Sequence, residues 1–188
     1  MNDKADNNSS LSAYTEFPVD VKFSAQEPDE DVLLLLRRHP LTNVPWIIIL
    51  IFLLAFPLLT EYLLRETPLD PLQIPFRLRL LFMIFWYLFC TGYAILSFFT
   101  WFFNIYIVTN ERIVDLDYFG FLFYRLSEAE LSQIQDVTYE LGGAFQTIFN
   151  FGNVYIQTAA EKREFDFSSV PNPARIHDLI TDLAQIYD

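Results

Sequence analysis

Two long apolar stretches are the strongest pattern in the chain. The first runs over residues 44–64 and is uncharged as far as Thr60, and the second runs over residues 80–103 without a side chain that is charged at neutral pH. About 20 apolar residues suffice for a helix to cross the roughly 30 Å hydrocarbon layer of a bilayer. The pattern therefore predicts two transmembrane helices, the first of them kinked at Pro57.

The segment between these stretches, residues 65–79, is short and contains three prolines, so it is too small and too irregular for a domain. Residues 44–103 are then a helical hairpin, and both ends of the chain lie on the same side of the membrane. The basic residues near the membrane ends are three on each side and do not fix the orientation; they are Arg37, Arg38 and Arg112 against Arg65, Arg77 and Arg79.

After Phe103 the apolar pattern changes to a period of two. Val114 and Leu116 alternate with Asp115 and Asp117, and similar alternation recurs several times up to Ser168. The last segment has Pro173 at a helix start and apolar residues at helical spacing. Residues 104–188 are thus predicted to form an α+β domain of five or six short antiparallel strands with a C-terminal helix.

The region before the first apolar stretch divides into two parts. Residues 1–24 are polar and lack apolar periodicity, which indicates a disordered tail. Residues 25–43 form an amphipathic juxtamembrane segment, in which acids precede the leucines of 32–36 and bases follow them, as in a short helix. Its leucines either lie in the membrane interface or pack on the following domain. In the first case Arg37 and Arg38, with Trp46 and Trp101, contact the membrane surface.

The formal charge of −12 excludes one class of partner. Residues 1–43 carry four Lys/Arg against eight Asp/Glu, residues 44–103 three against three, and residues 104–188 five against thirteen. Nucleic-acid binding requires a basic surface, and the polar regions here are acidic, so no nucleic-acid partner is expected. The single cysteine, Cys90, excludes an intrachain disulfide and a zinc site built on several cysteines.

Candidate catalytic groups are few. Asp115 and Asp117 point to one face of a strand, but no third metal ligand accompanies them, and an exposed hairpin face accounts for both. His177 precedes Asp178, but adjacent helical residues do not face each other, and no motif marks a nucleophile. We therefore expect no catalytic residue, no metal and no cofactor.

An aromatic hairpin at residues 118–124 is the strongest candidate for an interface. Phe119, Phe121 and Phe123 alternate with Leu122 and Tyr124, and a barrel interior can accept only one of the two sets. The other set forms an apolar patch. We expect Phe119, Phe121 and Phe123 to contact a protein partner or a second copy of the chain.

Three segments resemble bacterial PH-like domain membrane proteins, in which two transmembrane helices are followed by this domain. They are IYIVTNERIV at 105–114, LSQIQDVTYELGGAFQTIFNFGNVYIQTA at 131–159 and FDFSSVPNPARIHDLI at 165–180. The resemblance implies a split antiparallel β-barrel with a C-terminal capping helix after the transmembrane hairpin. It also implies a multi-pass protein of the bacterial inner membrane with both termini in the cytoplasm, and it implies no activity.

Together these observations predict a non-enzymatic protein that is integral to the lipid bilayer. Its domain would act as an interaction or scaffold module that binds a protein partner or assembles with itself. The alternative is a lipid-responsive module that senses headgroups. An enzyme or a transporter component is less favoured, because Glu61 lies near a membrane end and the second span has no charged group.

Overall fold

The computed structural model describes residues 12–18, 26–27, 29–65, 67, 74–119, 123–159 and 164–187. They form two compact units. One unit is helical and covers residues 43–100, and the other combines the residues up to Thr42 with those from Trp101 onward.

The helical unit consists of α1 (Val44–Leu63) and most of α2 (Phe76–Phe102), preceded by a 3₁₀ turn at Pro40–Asn43. α1 and α2 touch through Trp86, whose Nε1–H donates to the Leu53 carbonyl oxygen at 2.8 Å and whose ring stacks on Phe56. Most apolar side chains of both helices are exposed. By length and composition both helices can cross a membrane, and α2 begins four residues before the predicted start.

The other unit contains two antiparallel sheets. The first sheet has the order β1-β2-β3-β4-β5, with β1 at Tyr14–Glu16, β2 at Val32–Arg37, β3 at Ile105–Thr109, β4 at Arg112–Phe119 and β5 at Phe123–Glu130. The second sheet has the order β6-β7-β8, with β6 at Ile134–Glu140, β7 at Phe151–Thr158 and β8 at Glu164–Pro171. α3 (Ala144–Phe149) connects β6 to β7, and α4 (Pro173–Tyr187) follows β8.

One core joins both sheets and α4. Leu34, Tyr106 and Ile113 enter it from the first sheet, Val154 and Phe167 from the second, and Ile176 and Ile180 from α4. The predicted α+β domain and its C-terminal helix are thus confirmed. The predicted barrel is not closed, because the described strands form two separate hydrogen-bonded sheets.

The prediction of a short helix over residues 32–36 is wrong. These residues form β2, which pairs with β3 on one side and with β1 on the other. Leu34 and Leu36 are fully buried in the core, so the leucines pack on the domain rather than lying in a membrane interface. Charges at the two ends of the segment suit a helix dipole, but two ladders of strand hydrogen bonds and the burial of two leucines outweigh that local preference.

The domain also begins earlier than the predicted residue 104. Residues 14–16 of the predicted tail form β1, and Thr15 is buried there; residues 1–11 and 19–25 lie outside the described part. Because β2 precedes α1 and β3 follows α2, the helical hairpin is an insertion between two paired strands of the sheet.

Candidate functional site

The edge of the domain from which the hairpin leaves is the first feature of interest. β2 ends at Arg37 and β3 begins at Ile105, and these two residues are partners in the antiparallel ladder. We call this edge the base of the domain. Because paired strands hold their ends together, the chain leaves the domain and returns to it at one place.

Three of the residues predicted to contact the membrane surface meet at the base. The Arg37 guanidinium carbon lies 4.5 Å from the centre of the Phe102 ring, and Trp101 Nε1–H donates to the Arg38 carbonyl oxygen at 2.9 Å. These contacts fix the last turn of α2 to the end of β2. Arg37 is only 9% exposed, which leaves little of its side chain for a lipid phosphate. Trp46 belongs to the helical unit, where it donates to Asn43.

A group of polar side chains lies on the inner side of the first sheet near the base. Asp115 of β4 is the ladder partner of Tyr106 of β3, and both are buried. The Tyr106 hydroxyl accepts a hydrogen bond from the Ser168 backbone N–H at 3.2 Å. Arg38 and Asp117 approach to 3.9 Å at the margin. Asp115 lies two residues from Ile113 on β4, on the same inward face, and it is only 7% exposed, so the predicted exposed position is wrong for this residue.

Burial dominates the electrostatics of this group. It raises the pKa of Asp115 to about 7, the negative charge of Asp117 adds to the shift, and Arg38 opposes it. The Asp115 Oδ1 atom is buried without a hydrogen-bond partner among the described residues, and so is Arg38 Nε. A carboxyl group in this position changes its charge near neutral pH.

Replacing Asp115 with Asn is therefore expected to stabilise the protein at high pH. The Asp115 pKa rises from 3.8 in the unfolded chain to about 7, so its ionisation removes stability as pH increases through that interval. Asn imitates the neutral acid. The variant and the wild type should unfold alike at pH 4, and the variant should be more stable at pH 8 by at most about 4 kcal/mol, at about 1.4 kcal/mol per pKa unit.

Thermal unfolding of the purified protein, followed by tryptophan fluorescence at both pH values, measures this effect. Asp136→Asn is the matched control, because Asp136 is exposed on β6. A stability difference between Asp115→Asn and the wild type that does not grow from pH 4 to pH 8 would show that Asp115 is not a titrating buried group.

His39 joins the two sheets at the base. Its backbone N–H donates to the Ser169 carbonyl oxygen at 2.8 Å, and its ring stacks on Phe151 of β7 at 4.7 Å between centroids. Burial lowers the pKa of His39, and the Leu41 N–H approaches its Nδ1 at 3.3 Å. The His39 ring is therefore neutral, with Nδ1 as a hydrogen-bond acceptor, and its role is to pack the two sheets together.

β4 and β5 continue past the base, because Ile105 pairs with Leu116 and the ladder between β4 and β5 goes on to Phe119 and Phe123. The Tyr118 N–H donates to Asn104 Oδ1, and the Tyr118 ring lies 5.1 Å from that of Phe103. Phe119 and Phe123 are ladder partners at the ends of β4 and β5, whereas Phe121 lies outside the described residues. The interface formed by Phe119, Phe121 and Phe123 stays a prediction.

An ion pair occupies the opposite end of the first sheet. Arg112 donates from Nε and Nη2 to the two carboxylate oxygens of Glu30 at 3.0 and 2.9 Å, and from Nη1 to Glu128 at 2.7 Å. Thr109 also donates to Glu30, whose side chain is fully buried. Burial alone would raise the pKa of Glu30, but the hydrogen bonds from Arg112, the Glu27 backbone and Thr109 lower it below its usual value.

The remaining candidates for chemistry are weak. His177 Nδ1 lies 2.9 Å from Asp178 Oδ1, so the prediction that these neighbours do not face each other is wrong. His177 also borders a cavity of about 250 Å³ between β6 and α4, and Ser132 and Thr181 contribute hydroxyl groups to its lining. In the part of the chain that the structure describes, no three His, Cys, Asp or Glu side chains are placed to hold a metal ion.

Sequence reasoning missed one surface. α3 presents exposed Phe145, Ile148 and Phe149, within a domain for which the sequence predicts strands and a C-terminal helix but no helix at this position. The available signal was the absence of any charged residue from Leu141 to Asn153.

The profile of a known protein family covers most of this architecture. It is described as "Bacterial PH domain" and matches residues 40–184, which include the helical hairpin, both sheets from β3 onward and most of α4. The chain belongs to the bacterial PH domain family. No curated protein and no solved structure gave a significant match. In this PH domain protein, β1 and β2 lie before the matched region. They complete the first sheet, whose other strands, β3, β4 and β5, lie within the matched region.

Proposed function

We propose that this bacterial PH domain protein is a non-enzymatic, membrane-anchored binding module. The observation that carries the proposal is the insertion of α1 and α2 between the paired strands β2 and β3. A helical hairpin that crosses the bilayer from this position tethers the domain through two adjacent chain segments. Both chain connections to the hairpin leave from the base, and both termini are then in the cytoplasm of the bacterial cell.

A protein partner or a second copy of the chain fits the domain better than a lipid headgroup does. PH domains that bind phosphoinositides use free basic side chains, and residues 104–188 carry five Lys/Arg against thirteen Asp/Glu. Arg112 is held by Glu30 and Glu128, so it is occupied within the fold. The aromatic hairpin at residues 118–124 is the proposed contact surface, because aromatic side chains commonly dominate the binding energy of an interface.

Cysteine labelling tests the anchoring. Single cysteines at Thr67 and at Gln157, in a Cys90→Ala background, are treated with an impermeant thiol reagent on intact cells. We expect labelling at position 67 only, because the hairpin connector is then periplasmic and the domain cytoplasmic. After cell lysis both positions should react. Labelling of position 157 in intact cells would reverse the topology, and release of the protein by alkaline carbonate would refute the membrane anchor.

Photocrosslinking tests the binding role. A photoreactive phenylalanine analogue at position 121 is expected to give adducts with a protein partner or a second copy in living cells. The same analogue at Gln133, at the opposite end of β6 from the base, is the control and should give none. Adducts with lipid alone at position 121 would favour the lipid-responsive alternative, and equal adducts at both positions would refute a specific interface at the hairpin.

A further inference from the structure

α3 carries an apolar surface that the domain itself does not cover. Phe145, Ile148 and Phe149 are 77%, 74% and 48% exposed. Their spacing of three and four residues puts them on one side of the helix. We call these three residues the α3 face. From Leu141 to Asn153 no side chain is charged, although the domain as a whole is strongly acidic.

Hydrogen bonds hold this helix in place. The Thr147 N–H donates to the Gly143 carbonyl oxygen, and Asn150 ends the helix in the left-handed conformation at φ 50°. The Asn172 N–H then donates to the Asn150 carbonyl oxygen at 2.9 Å, which ties the end of α3 to the start of α4. At Gly152 a Cβ atom would lie 2.3 Å from the Glu140 carbonyl oxygen, so only glycine permits β7 to pass this close to β6. The apolar side chains are therefore presented by a fixed element.

α3 lies at the base of the domain. Phe151, two residues after the end of α3, stacks on His39, and His39 immediately precedes the 3₁₀ turn that leads into α1. Arg38, next to His39, accepts the hydrogen bond from Trp101 near the end of α2. The α3 face thus lies at the same end of the domain as both connections to the hairpin.

We infer that the α3 face inserts into the interfacial layer of the bilayer that the hairpin crosses. This inference rests on the proposed membrane anchor and adds a second contact between the domain and the same membrane. Phe and Ile side chains gain free energy on leaving water, and insertion requires no charged group to be desolvated. An anionic membrane surface repels the acidic parts of the domain, whereas the segment around α3 is neutral and can approach it.

A lipid surface fits α3 better than a protein does. Across residues 141–153 the segment offers no ion-pairing group that would fix the register of a protein partner. An apolar, neutral helix side beside a membrane anchor is sufficient for interfacial insertion, because the anchor supplies the high local concentration. The contact should consequently be insensitive to salt and to the fraction of anionic lipid.

Fluorescence quenching in liposomes tests the inference. The full-length protein with Cys90→Ala and a single cysteine at Phe145 or Ile148 is labelled with an environment-sensitive dye and reconstituted. We expect lipids that carry a quencher near the headgroup to quench both labels several-fold more than a label at Gln133, which is exposed at the other end of β6. Raising NaCl from 0.1 to 0.5 M should leave the ratio unchanged.

Alternative results separate the possible failures. Quenching of positions 145 and 148 by aqueous iodide but not by lipid, in protein that resists carbonate extraction, would overturn the α3 inference and leave the membrane anchor intact. Shielding from both quenchers would show that a protein covers α3 and would also overturn it. Extraction of the reconstituted protein by carbonate would refute the proposed function itself.

Discussion

Residues 104–188 expressed alone are expected to remain unfolded, although they contain six of the eight described strands and α4. β2 lies between β1 and β3 in the first sheet, and its Leu34 and Leu36 are fully buried. Each buried leucine stabilises the fold by about 1.5–3 kcal/mol. The fragment also loses Glu30, the buried partner of Arg112. Together these losses are comparable to the roughly 5–15 kcal/mol that stabilise a whole domain.

A fusion of residues 12–42 to residues 101–188 through a flexible Gly/Ser linker is the matched comparison. It keeps both sheets, α4 and the ladder between Arg37 and Ile105, and it removes the hairpin. Dispersed amide resonances and a cooperative urea transition are expected for the fusion but not for residues 104–188. Cooperative unfolding of the shorter fragment would mean that β1 and β2 are peripheral to the domain.

Local patterns account for the parts of the fold that could be predicted from the sequence. The apolar length of α1 and α2, the period-two alternation of β4 and the helical spacing in α4 each depend on neighbouring residues. β2 could not be recognised in this way, because its pairing with β3 joins residues about 70 positions apart and its run of leucines has no alternation. The charged residues at its two ends matched a helix, and only the partner strand decides otherwise.

The candidate site was harder to predict for the same reason. The alternation of Asp115 with Val114 and Leu116 assigns the aspartate to solvent, but both faces of β4 are covered, and Asp115 shares the core side with Ile113. Arg112 lies in the segment at residues 105–114 that carries the family resemblance, whereas its partner Glu30 lies on the other side of the whole hairpin in sequence. The exposure of the apolar side chains on α3 could not be predicted either, because it depends on how the folded sheet holds this helix after the end of β6.

Arg112→Met is expected to destabilise the domain by about 3–5 kcal/mol, because it leaves the carboxylate of Glu30 buried and without its counter-charge. The double variant Glu30→Met/Arg112→Met should recover most of this loss, since it removes both charges and fills a similar volume. Arg175→Met is the control; Arg175 pairs with Glu16 at the surface, where such a pair contributes about 0–1 kcal/mol. Urea unfolding of the fusion of residues 12–42 to residues 101–188 measures the free energy of unfolding of each of the three variants.

The pH dependence distinguishes the ion pair from simple packing by Arg112. Because the pKa of Glu30 is lowered in the folded protein, its contribution is present above the unfolded value of 4.5 and is lost as pH falls through the folded value. In Arg112→Met the Glu30 carboxyl group is buried without its counter-charge, so its protonation at low pH stabilises the folded state of the variant. The stability gap between the wild type and this variant should therefore narrow from pH 7 to pH 4. A gap that is constant over this interval would assign the effect to packing of the arginine stem and not to its charge.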